Sequence, residues 1–442
     1  MDRRIAITGM GVLSPAGSGA AALAAAIREG RSAIGPITRF DASLYPSRMA
    51  GEVRDFDPAA GIRKDQSRYV KKTAKVMAID IQMAVAAANQ AILDTGLALG
   101  DPAKDEPVLP TIDHTRFGTV FGSCFVPTEF DDLAGPIQAS LEDGQFTLAG
   151  WGARGIPQMF PLWLLKYLPN MHACHTGILW DAQGPSNSVT CSDASGLVSL
   201  DECVRIISRG TADLMLAGAA ESRVNPVIIM RHCLLGRLAT DNDHPATCCR
   251  PFDLDRTGQV DADGAAVLVC EACDVAAARG AKVYAEVLGT GLGSTTAGVN
   301  ACDADGRSTA VAVRSAMAMA GVRPEELGAV YAHGTGLAMQ DASEAAGLVA
   351  ALGPAAMSIP TTSSKGVTGV MGAACGLAEL AAAILLCKDR LVPPIANCRR
   401  PDPAMGLALV VGRPAKLRSP TILVTTSAIG GQTAAAVVKV NV

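Results

Sequence analysis

Short β-rich runs alternate with alanine-rich helical stretches from one end of this 442-residue chain to the other. Strands covered by helices on both faces read as continuous apolar runs, because neither face of the sheet meets water. The alternation therefore predicts an α/β fold with largely buried strands. The apolar content of 49% is ample for such a core, and the aromatic content of only 4% favours closely packed elements with small side chains at their contacts.

Two sets of predicted strands each begin with a strand that leads into a glycine-rich turn, ITGMG in the first set and VLGTGLG in the second. This repetition predicts two similar halves, residues 1–258 and 259–442, packed as one body because no low-complexity linker separates them. In the stretch at about 101–171 the alternation of strands and helices weakens, and Gly, Pro and aromatic residues collect. We expect inserted loops and short helices there that cap a site or an interface.

Composition and charge exclude several classes of protein. The formal net charge of −4 disfavours a nucleic-acid or anionic-membrane surface, which needs clustered positive charge. No uncharged apolar stretch approaches the roughly 18 residues of a membrane helix. The 13 cysteines are scattered through apolar surroundings, so we expect buried free thiols rather than disulfides or a metal site. The sequence predicts a soluble, cytoplasmic protein without a metal or a bound cofactor.

Three stretches carry polar groups at the ends of predicted strands. The first, GPSNSVTCSDASGLVSL (184–200), runs from a strand through a bend into a helix with one apolar face. Its bend offers two candidate reactive groups, the thiol of Cys191 and the carboxylate of Asp193. The other two are YAHGTGLAMQDASE (331–344) and SSKGVTGVMGAACG (363–376). By contrast, the glycine-rich start GMGVLSPAG lacks the GxGxxG spacing and the later acidic residue of a dinucleotide-binding loop.

Seven motifs in order along the chain resemble the β-ketoacyl-acyl-carrier-protein synthases of fatty-acid and polyketide assembly, in the thiolase superfamily: MDRRIAITGMGVLSPAG, NMHACHTGILWDAQGPSNSV, RLATDND, CRPFDLDRTGQVDADGAAVLVCE, AHGTG, SSKGVTG and IGGQTAAAVVKV. The resemblance implies a thiolase fold, with two similar halves in a five-layered αβαβα arrangement and the site between them. It also implies a dimer, either with itself or with an active ketosynthase. Substrates are expected on the phosphopantetheine arm of acyl carrier protein.

The same resemblance implies a nucleophilic Cys, two His, a Lys and a Glu. The nucleophile should lie eight residues after Pro185, which is Asp193, so that Cys191 falls two residues early. Cys191 is then either a core thiol or, after a one-turn slip of the bend, a nucleophile. His333 matches the first catalytic His, and Val370 stands where the second is expected.

Further positions follow from the same motifs. Lys365 matches the Lys, and Asp341 with Glu344 matches the DxxE after the first His. Leu337 stands where a Thr often contacts the pantetheine arm. Three residues replace the gating Phe-Gly-Phe, and one takes the position of a structural Glu: Ser427, Ala428, Ile429 and Asp263.

The substitutions leave three functional hypotheses open. The first is a non-condensing member that pairs with an active synthase, similar to chain-length factors. The second is altered chemistry on a carrier-bound acyl chain, with Asp193 and His333 as an acid/base pair. The third is ordinary condensation through Cys191. A structural alternative remains for each retained residue: His333 could be kept for packing, and Lys365 with Glu344 could form only a buried ion pair.

A basic helical segment is the one candidate docking surface. Five cationic residues lie within ten positions of one another: Arg63, Lys64, Arg68, Lys71 and Lys72. They could meet an acidic carrier protein or a partner subunit, or they could form only a solvated helix face.

Overall fold

The computed structural model describes residues 3–126 and 128–442. Within these ranges, twelve strands join in one mixed sheet: β1 (Ile5–Ser14), β2 (Gly17–Ser18), β3 (Phe117–Ser123), β4 (Ser186–Thr190), β5 (Leu214–Glu221), β6 (Gly264–Ala272), β7 (Ala285–Ser294), β8 (Ala329–Tyr331), β9 (Pro360–Thr362), β10 (Ala408–Leu409), β11 (Thr421–Ser427) and β12 (Gln432–Val440).

The order of the strands repeats within the sheet, which runs β10-β9-β8-β11-β12-β7-β1-β6-β5-β3-β4, with β2 beside β1. In the first half β4, β3 and β5 are parallel, and β6 and β1 continue antiparallel. In the second half β9, β8 and β11 are parallel, and β12 and β7 continue antiparallel. Strands β1 and β7 join the halves through three antiparallel residue pairs. The two similar halves predicted from the glycine-rich repeats are thus visible in the strand pairing.

The helices complete a thiolase fold of five layers: α1 (Ala20–Glu29), α2 (Lys64–Thr73), α3 (Ile79–Asp94), α4 (Phe130–Ala139), α5 (Leu148–Gly150), α6 (Met171–Trp180), α7 (Ser195–Ser208), α8 (Pro226–Leu234), α9 (Pro245–Cys248), α10 (Cys273–Ala278), α11 (Arg307–Ala320), α12 (Ala338–Leu352), α13 (Lys365–Thr368) and α14 (Cys375–Cys387). Helices α7 and α14 pack against strands of both halves and form the middle layer. Helices α3 and α6 cover the outer face of the first half, and α11 with α12 covers the second.

The glycine-rich repeats have a packing role that corrects one prediction. ITGMG and VLGTG lie inside β1 and β7 rather than in turns after them, and both strands carry a register irregularity there. A Cβ on Gly11 would overlap the carbonyl oxygen of Ala87 on α3, and one on Gly291 would overlap that of Ala312 on α11. Glycine is therefore needed because a helix backbone lies directly against each strand.

The inserted region contains short elements with exposed apolar side chains. Between 101 and 171 lies the buried strand β3, which belongs to the main sheet and corrects the prediction of loops and short helices throughout. Around it lie α4, α5, several short 3₁₀ turns and the two-stranded ribbon of Leu141–Glu142 and Gln145–Phe146. Several large apolar side chains outside β3 are at least 40% exposed, among them those of Phe130, Phe146, Leu148, Leu162 and Leu164. In the part of the chain that the structure describes, no helix combines the length and apolar character needed to cross a membrane.

The parallel strands fix the location of the site. The carboxyl ends of neighbouring parallel strands lie at the same edge of a sheet, and the polar motifs follow these ends in both halves. The chain after β4 leads to Asp193, and the chain after β5 leads to Arg223. In the second half, β8 leads to His333 and β9 leads to Lys365. Helices α7 and α14, in the middle layer, bring the two sets together.

Candidate functional site

Asp193 lies in a 3₁₀ turn, Ser192–Ala194, between β4 and α7. The turn is fixed by the Ser195 hydroxyl, which donates to the Ser123 carbonyl oxygen and accepts from the Cys191 backbone N–H, both at 2.8 Å. Ser192 adopts a positive φ of 50° to make the bend. The Asp193 residue is only 3% exposed, so its carboxylate is buried at the start of a 14-residue helix.

The Asp193 carboxylate forms a direct ion pair with the Arg223 guanidinium through Oδ1 and Nη2. Burial by itself raises the pKa of Asp193, but the charge of Arg223 and the neighbouring His333 outweigh burial and hold that pKa well below its usual range. Burial likewise lowers the pKa of Arg223, but the charges of Asp193, Glu221 and Asp261 outweigh it and raise that pKa. Both side chains are therefore charged in the folded protein.

Arg223 is held in place by two further carboxylates. Its Nε donates to Glu221 Oε1 at 2.9 Å, and its Nη1 lies 3.8 Å from Asp261 Oδ1. Glu221 Oε2 also accepts the backbone N–H of Ala373 at 2.7 Å. Burial raises the pKa of Glu221 despite the opposing charge of Arg223. The guanidinium thus has a fixed position that does not depend on Asp193.

Gly372 provides the space for this ion pair. Its φ is +55°, and a Cβ there would overlap Glu221 Oε2 and lie 2.8 Å from Arg223 Nε. A side chain at position 372 would therefore displace either Glu221 or Arg223.

The network continues from Asp261 to helix α8. His232 Nδ1 lies 2.6 Å from Asp261 Oδ2, and Gln259 Nε2 donates to Asp261 Oδ1 at 3.0 Å. Asp261 is fully buried and His232 is 6% exposed. We call the five residues Asp193, Glu221, Arg223, His232 and Asp261 the buried charge network.

His333 lies directly beside the network. Its Nε2 is 3.7 Å from Asp193 Oδ2, the side chain is fully buried, and neither ring nitrogen has a hydrogen-bond partner among the described residues. Glu344 holds the His333 backbone: its Oε1 accepts the His333 N–H and its Oε2 accepts the Gly334 N–H, both at 2.8 Å. Glu344 therefore positions the loop that carries the imidazole.

Lys365 is paired with Glu379 rather than with Glu344, which corrects the ion pair considered from the sequence. Lys365 Nζ donates to Glu379 Oε2 at 2.6 Å, and the Ser364 hydroxyl donates to the same oxygen. Burial lowers the pKa of Lys365, but the Glu379 charge outweighs burial and raises it. Glu344 instead accepts two backbone N–H groups and the Thr425 hydroxyl.

Two family models cover most of the chain. Residues 2–276 match the N-terminal domain of beta-ketoacyl synthase and residues 284–399 match its C-terminal domain. This chain belongs to the ketoacyl synthase family.

Two curated relatives illustrate this similarity. The chain is 33% identical over 409 residues to 3-oxoacyl-[acyl-carrier-protein] synthase 2 of Vibrio cholerae, covering 92% of each chain. It is also 33% identical over 440 residues to the tetracenomycin polyketide synthase ketoacyl synthase alpha subunit of Streptomyces glaucescens, covering 99% of this chain and 97% of that one.

Solved ketosynthase structures share the whole fold. The ishigamide ketosynthase/chain length factor superposes with a TM-score of 0.82 at 29% identity, covering 100% of both chains. AntDE:AntF, a type II PKS acyl-carrier protein in complex with its ketosynthase bound to the hexaketide, gives a TM-score of 0.81 at 25% identity, again over 100% of both chains.

The remaining ketosynthase positions named from the sequence are buried or half-buried. Cys191 follows β4 directly and is half-buried, and burial raises the pKa of its thiol. Val370 is fully buried, and its backbone pairs with the 260–262 segment. Leu337 is 8% exposed and precedes α12.

The loop 427–429, expected from the sequence in place of gating aromatic residues, contacts the first turn of α12. The Ser427 carbonyl oxygen accepts from Gln340 Nε2 at 2.6 Å, while its hydroxyl has no partner among the described residues. Ala428 is 4% exposed and Ile429 is half-buried.

Two further predicted positions have structural contacts. Asp341 accepts the backbone N–H of Thr335 at 2.7 Å and that of Phe252 at 2.8 Å, which ties the AHGTG loop to the first half. Asp263 is fully buried, accepts from the Ser222 hydroxyl at 2.8 Å and pairs with Arg39. Neither carboxylate joins the buried charge network.

Sequence reasoning missed the residues that surround Asp193. Glu221 ends the apolar strand LMLAGAAE and Arg223 follows two positions later, and Gln259 and Asp261 alternate in the segment QVDAD. Charged residues at the end of a buried strand need partners, which is the signal that could have identified them. In the described residues no group of three or more His, Cys, Asp or Glu side chains is arranged to hold a metal ion.

Proposed function

We propose that this chain is a non-condensing ketosynthase-like subunit that pairs with an active ketosynthase in fatty-acid or polyketide assembly, as chain-length factors do. The observation that carries the proposal is the buried ion pair between Asp193 and Arg223. It fills the position predicted for the nucleophile with a carboxylate that is already neutralised. The sequence predicts halves of residues 1–258 and 259–442; because β6 (Gly264–Ala272) pairs with β5 and β1 of the first half, we propose a boundary after β6.

Such a carboxylate is unsuited to carry an acyl group. Attack on a thioester would give a mixed anhydride, which hydrolyses readily and stores no acyl chain. The Arg223 guanidinium lowers the nucleophilicity of the carboxylate further, because it stabilises the charge that the attack would consume. Condensation also needs donors for the enolate oxygen, and the loss of one such donor costs about 10²- to 10³-fold in rate. Val370 supplies none.

Altered chemistry by Asp193 and His333 is the second candidate. The distance of 3.7 Å between His333 Nε2 and Asp193 Oδ2, together with the unpartnered ring nitrogens, favours it. The low pKa of Asp193 opposes it, because a general base works best with a pKa near the working pH. The third candidate, condensation through Cys191, is opposed by the raised pKa of its half-buried thiol, since the thiolate is the nucleophile.

The free edge of the sheet supports the pairing with another subunit. Among the strands that the structure describes, β4 pairs only with β3, and three of its five residues are exposed. The Ser188 N–H donates to the Asn187 side chain at 2.8 Å rather than to β3, so this backbone group lies on the free edge of β4. An exposed edge strand is a template for pairing, and the exposed apolar side chains of region 101–171 are typical of an interface. We propose this face as the subunit interface, in a homodimer or with an active ketosynthase.

Helix α2 supports docking of an acidic carrier protein. The cationic side chains of α2, of Arg63 just before it and of Lys75 in the turn after it differ in their pairing. Arg63 pairs with Asp65, whereas Lys64, Arg68, Lys71, Lys72 and Lys75 are exposed and form no ion pair with any described residue. Their spacing places them along one side of a helix, where they attract an acidic partner. Acyl groups would arrive on the phosphopantetheine arm of that carrier, so the proposal assigns no cofactor to this chain.

The experiment that tests the proposal is mass spectrometry of the purified chain after incubation with acyl-loaded and malonyl-loaded carrier protein. Protein adduct, carbon dioxide release and 3-oxoacyl product are followed together, with an active ketosynthase as the positive control. We expect none of the three signals from the chain alone, and a change in product length when it is combined with its partner ketosynthase. An acyl adduct on Cys191 with product would refute the proposal. Carbon dioxide without adduct would favour altered chemistry at Asp193 and His333.

A further inference from the structure

We propose that Asp193 acts as an internal ligand: its carboxylate occupies an anion site formed by Arg223 and His333 and closes that site to small carboxylates. The inference goes beyond the proposed function, which requires only that the chain does not condense. It concerns what the substituted residue does inside the protein. Three observations carry it.

The first observation is that Arg223 is oriented without Asp193. Glu221 holds Nε at 2.9 Å and Asp261 lies 3.8 Å from Nη1, which leaves Nη2 directed at Asp193. The absence of a side chain at Gly372 gives the Glu221–Arg223 pair its space. Removing the Asp193 carboxylate would therefore leave the guanidinium in place with one donor group unused.

The second observation is that His333 has unused hydrogen-bonding capacity. Its ring is fully buried, and both ring nitrogens lack a partner among the described residues. Its backbone is fixed by Glu344, so the imidazole is held beside Asp193 rather than free to turn away with its loop. A buried polar group without a partner is costly and is commonly satisfied by a water molecule or ligand.

The third observation is the size and seclusion of the space. Asp193 is 3% exposed, and the change Asp193→Ala removes three heavy atoms, one carbon and two oxygens. These are the heavy atoms of formate. A formate ion in that space would restore both the charge and the acceptor that Arg223 has in the native chain. Acetate is larger by one methyl group, and its carboxylate with that methyl matches the space left by Asp193→Gly.

The test compares formate with chloride at equal ionic strength, using thermal denaturation of the full chain. We expect the midpoint of Asp193→Ala to rise saturably with formate, by about 3 °C at a hundredfold excess over Kd. The native chain should not respond, because its site is filled. Asp193→Asn, which keeps the shape and an acceptor, should not respond either. The double variant Asp193→Ala/Arg223→Met should lose the response if Arg223 is the main donor.

Size selectivity gives a second readout. Acetate should stabilise Asp193→Gly as well as formate does, and should stabilise Asp193→Ala less. If Asp193→Ala does not fold in chloride, the refolding yield in formate is compared with the yield in chloride instead of the denaturation midpoint. A yield that rises saturably with formate supports the inference.

Three results would overturn the inference: equal responses of Asp193→Ala to formate and chloride, a formate response in the native chain, or no refolding of Asp193→Ala in either salt. None of these bears on carrier-protein turnover or on pairing with a ketosynthase. Failure of the internal-ligand inference is therefore distinct from failure of the proposed function.

Discussion

Replacing Arg223 by Met should destabilise the protein more than any other single loss of an ion pair. Met has similar volume but no charge, so the change leaves Asp193, Glu221 and Asp261 buried together without their guanidinium. All three carboxylate residues are less than 6% exposed, so water screens them little. Breaking a buried pair by removing one partner costs about 3–5 kcal/mol, because an uncompensated charge remains in a medium of low polarity.

The matched control is Arg28→Met. Arg28 and Asp389 form an ion pair at 2.6 Å, but the two side chains are 50% and 45% exposed. Exposed pairs of this kind contribute about 0–1 kcal/mol. We therefore expect the two variants to differ several-fold in their loss of stability although each removes one guanidinium group.

The assay is urea-induced unfolding at pH 7, followed by tryptophan fluorescence, for Arg223→Met, Asp193→Asn and the double variant. The double variant should be more stable than the sum of the single losses implies, with a coupling of about 0.5–3 kcal/mol between the two residues. Equal losses from Arg223→Met and Arg28→Met would refute the reasoning. So would strict additivity of the Asp193 and Arg223 changes.

The pH dependence of that stability has a defined sign. The pKa of Asp193 is lowered in the folded state, so its contribution is present above the unfolded pKa of about 3.9 and is lost as pH falls through the folded value. The stability advantage of the native chain over Asp193→Asn should therefore be constant from pH 5 to 8 and should shrink below about pH 4. An advantage that changes between pH 5 and 8 would contradict the assignment.

Three further predictions concern the fold and the two proposed surfaces. Gly11→Ala should lower the free energy of urea unfolding by about 1–3 kcal/mol because its Cβ would overlap a carbonyl oxygen, whereas Gly35→Ala, with no atom within 4 Å of the new Cβ, should have little effect. Similar losses from the two variants would contradict the packing role. Lys72→Glu should weaken binding of acyl carrier protein in a salt-dependent way, whereas Lys416→Glu, at an exposed position away from α2, should not; surface plasmon resonance measures both. Equal effects of the two variants would exclude α2 as the docking surface. Ser188→Pro should abolish subunit pairing, measured by light scattering, without loss of stability, whereas Ser188→Ala should still pair. Pairing that survives the proline would exclude the β4 edge as the interface.

Much of the fold could be predicted because its signals are local. The helix with one apolar face that is expected at the end of 184–200 forms as α7, since apolar residues three and four apart define a buried face without reference to distant parts of the chain. The glycine-rich repeats identified the two halves for a similar reason. Their role was misjudged as turns, because sequence alone does not show that a helix backbone lies against Gly11 and Gly291.

The candidate site was predicted only in part. Motif spacing placed Asp193 and His333 in one site, and the structure brings them within 3.7 Å. Motif spacing did not identify Glu379 as the partner of Lys365, because a Glu in the second turn of an alanine-rich helix carries no local signal of a buried ion pair.

The sequence by itself determined the order of strands and helices, the family, and the presence of a carboxylate where that family is expected to carry a thiol. Periodicity and motif spacing are properties of neighbouring residues, so they survive in the linear chain. Only the tertiary structure decided what that carboxylate is bound to. Arg223 and Asp261 are 30 and 68 positions from Asp193 and come from a different strand and loop. Burial makes their charges interact strongly, and burial exists only after the layers have packed.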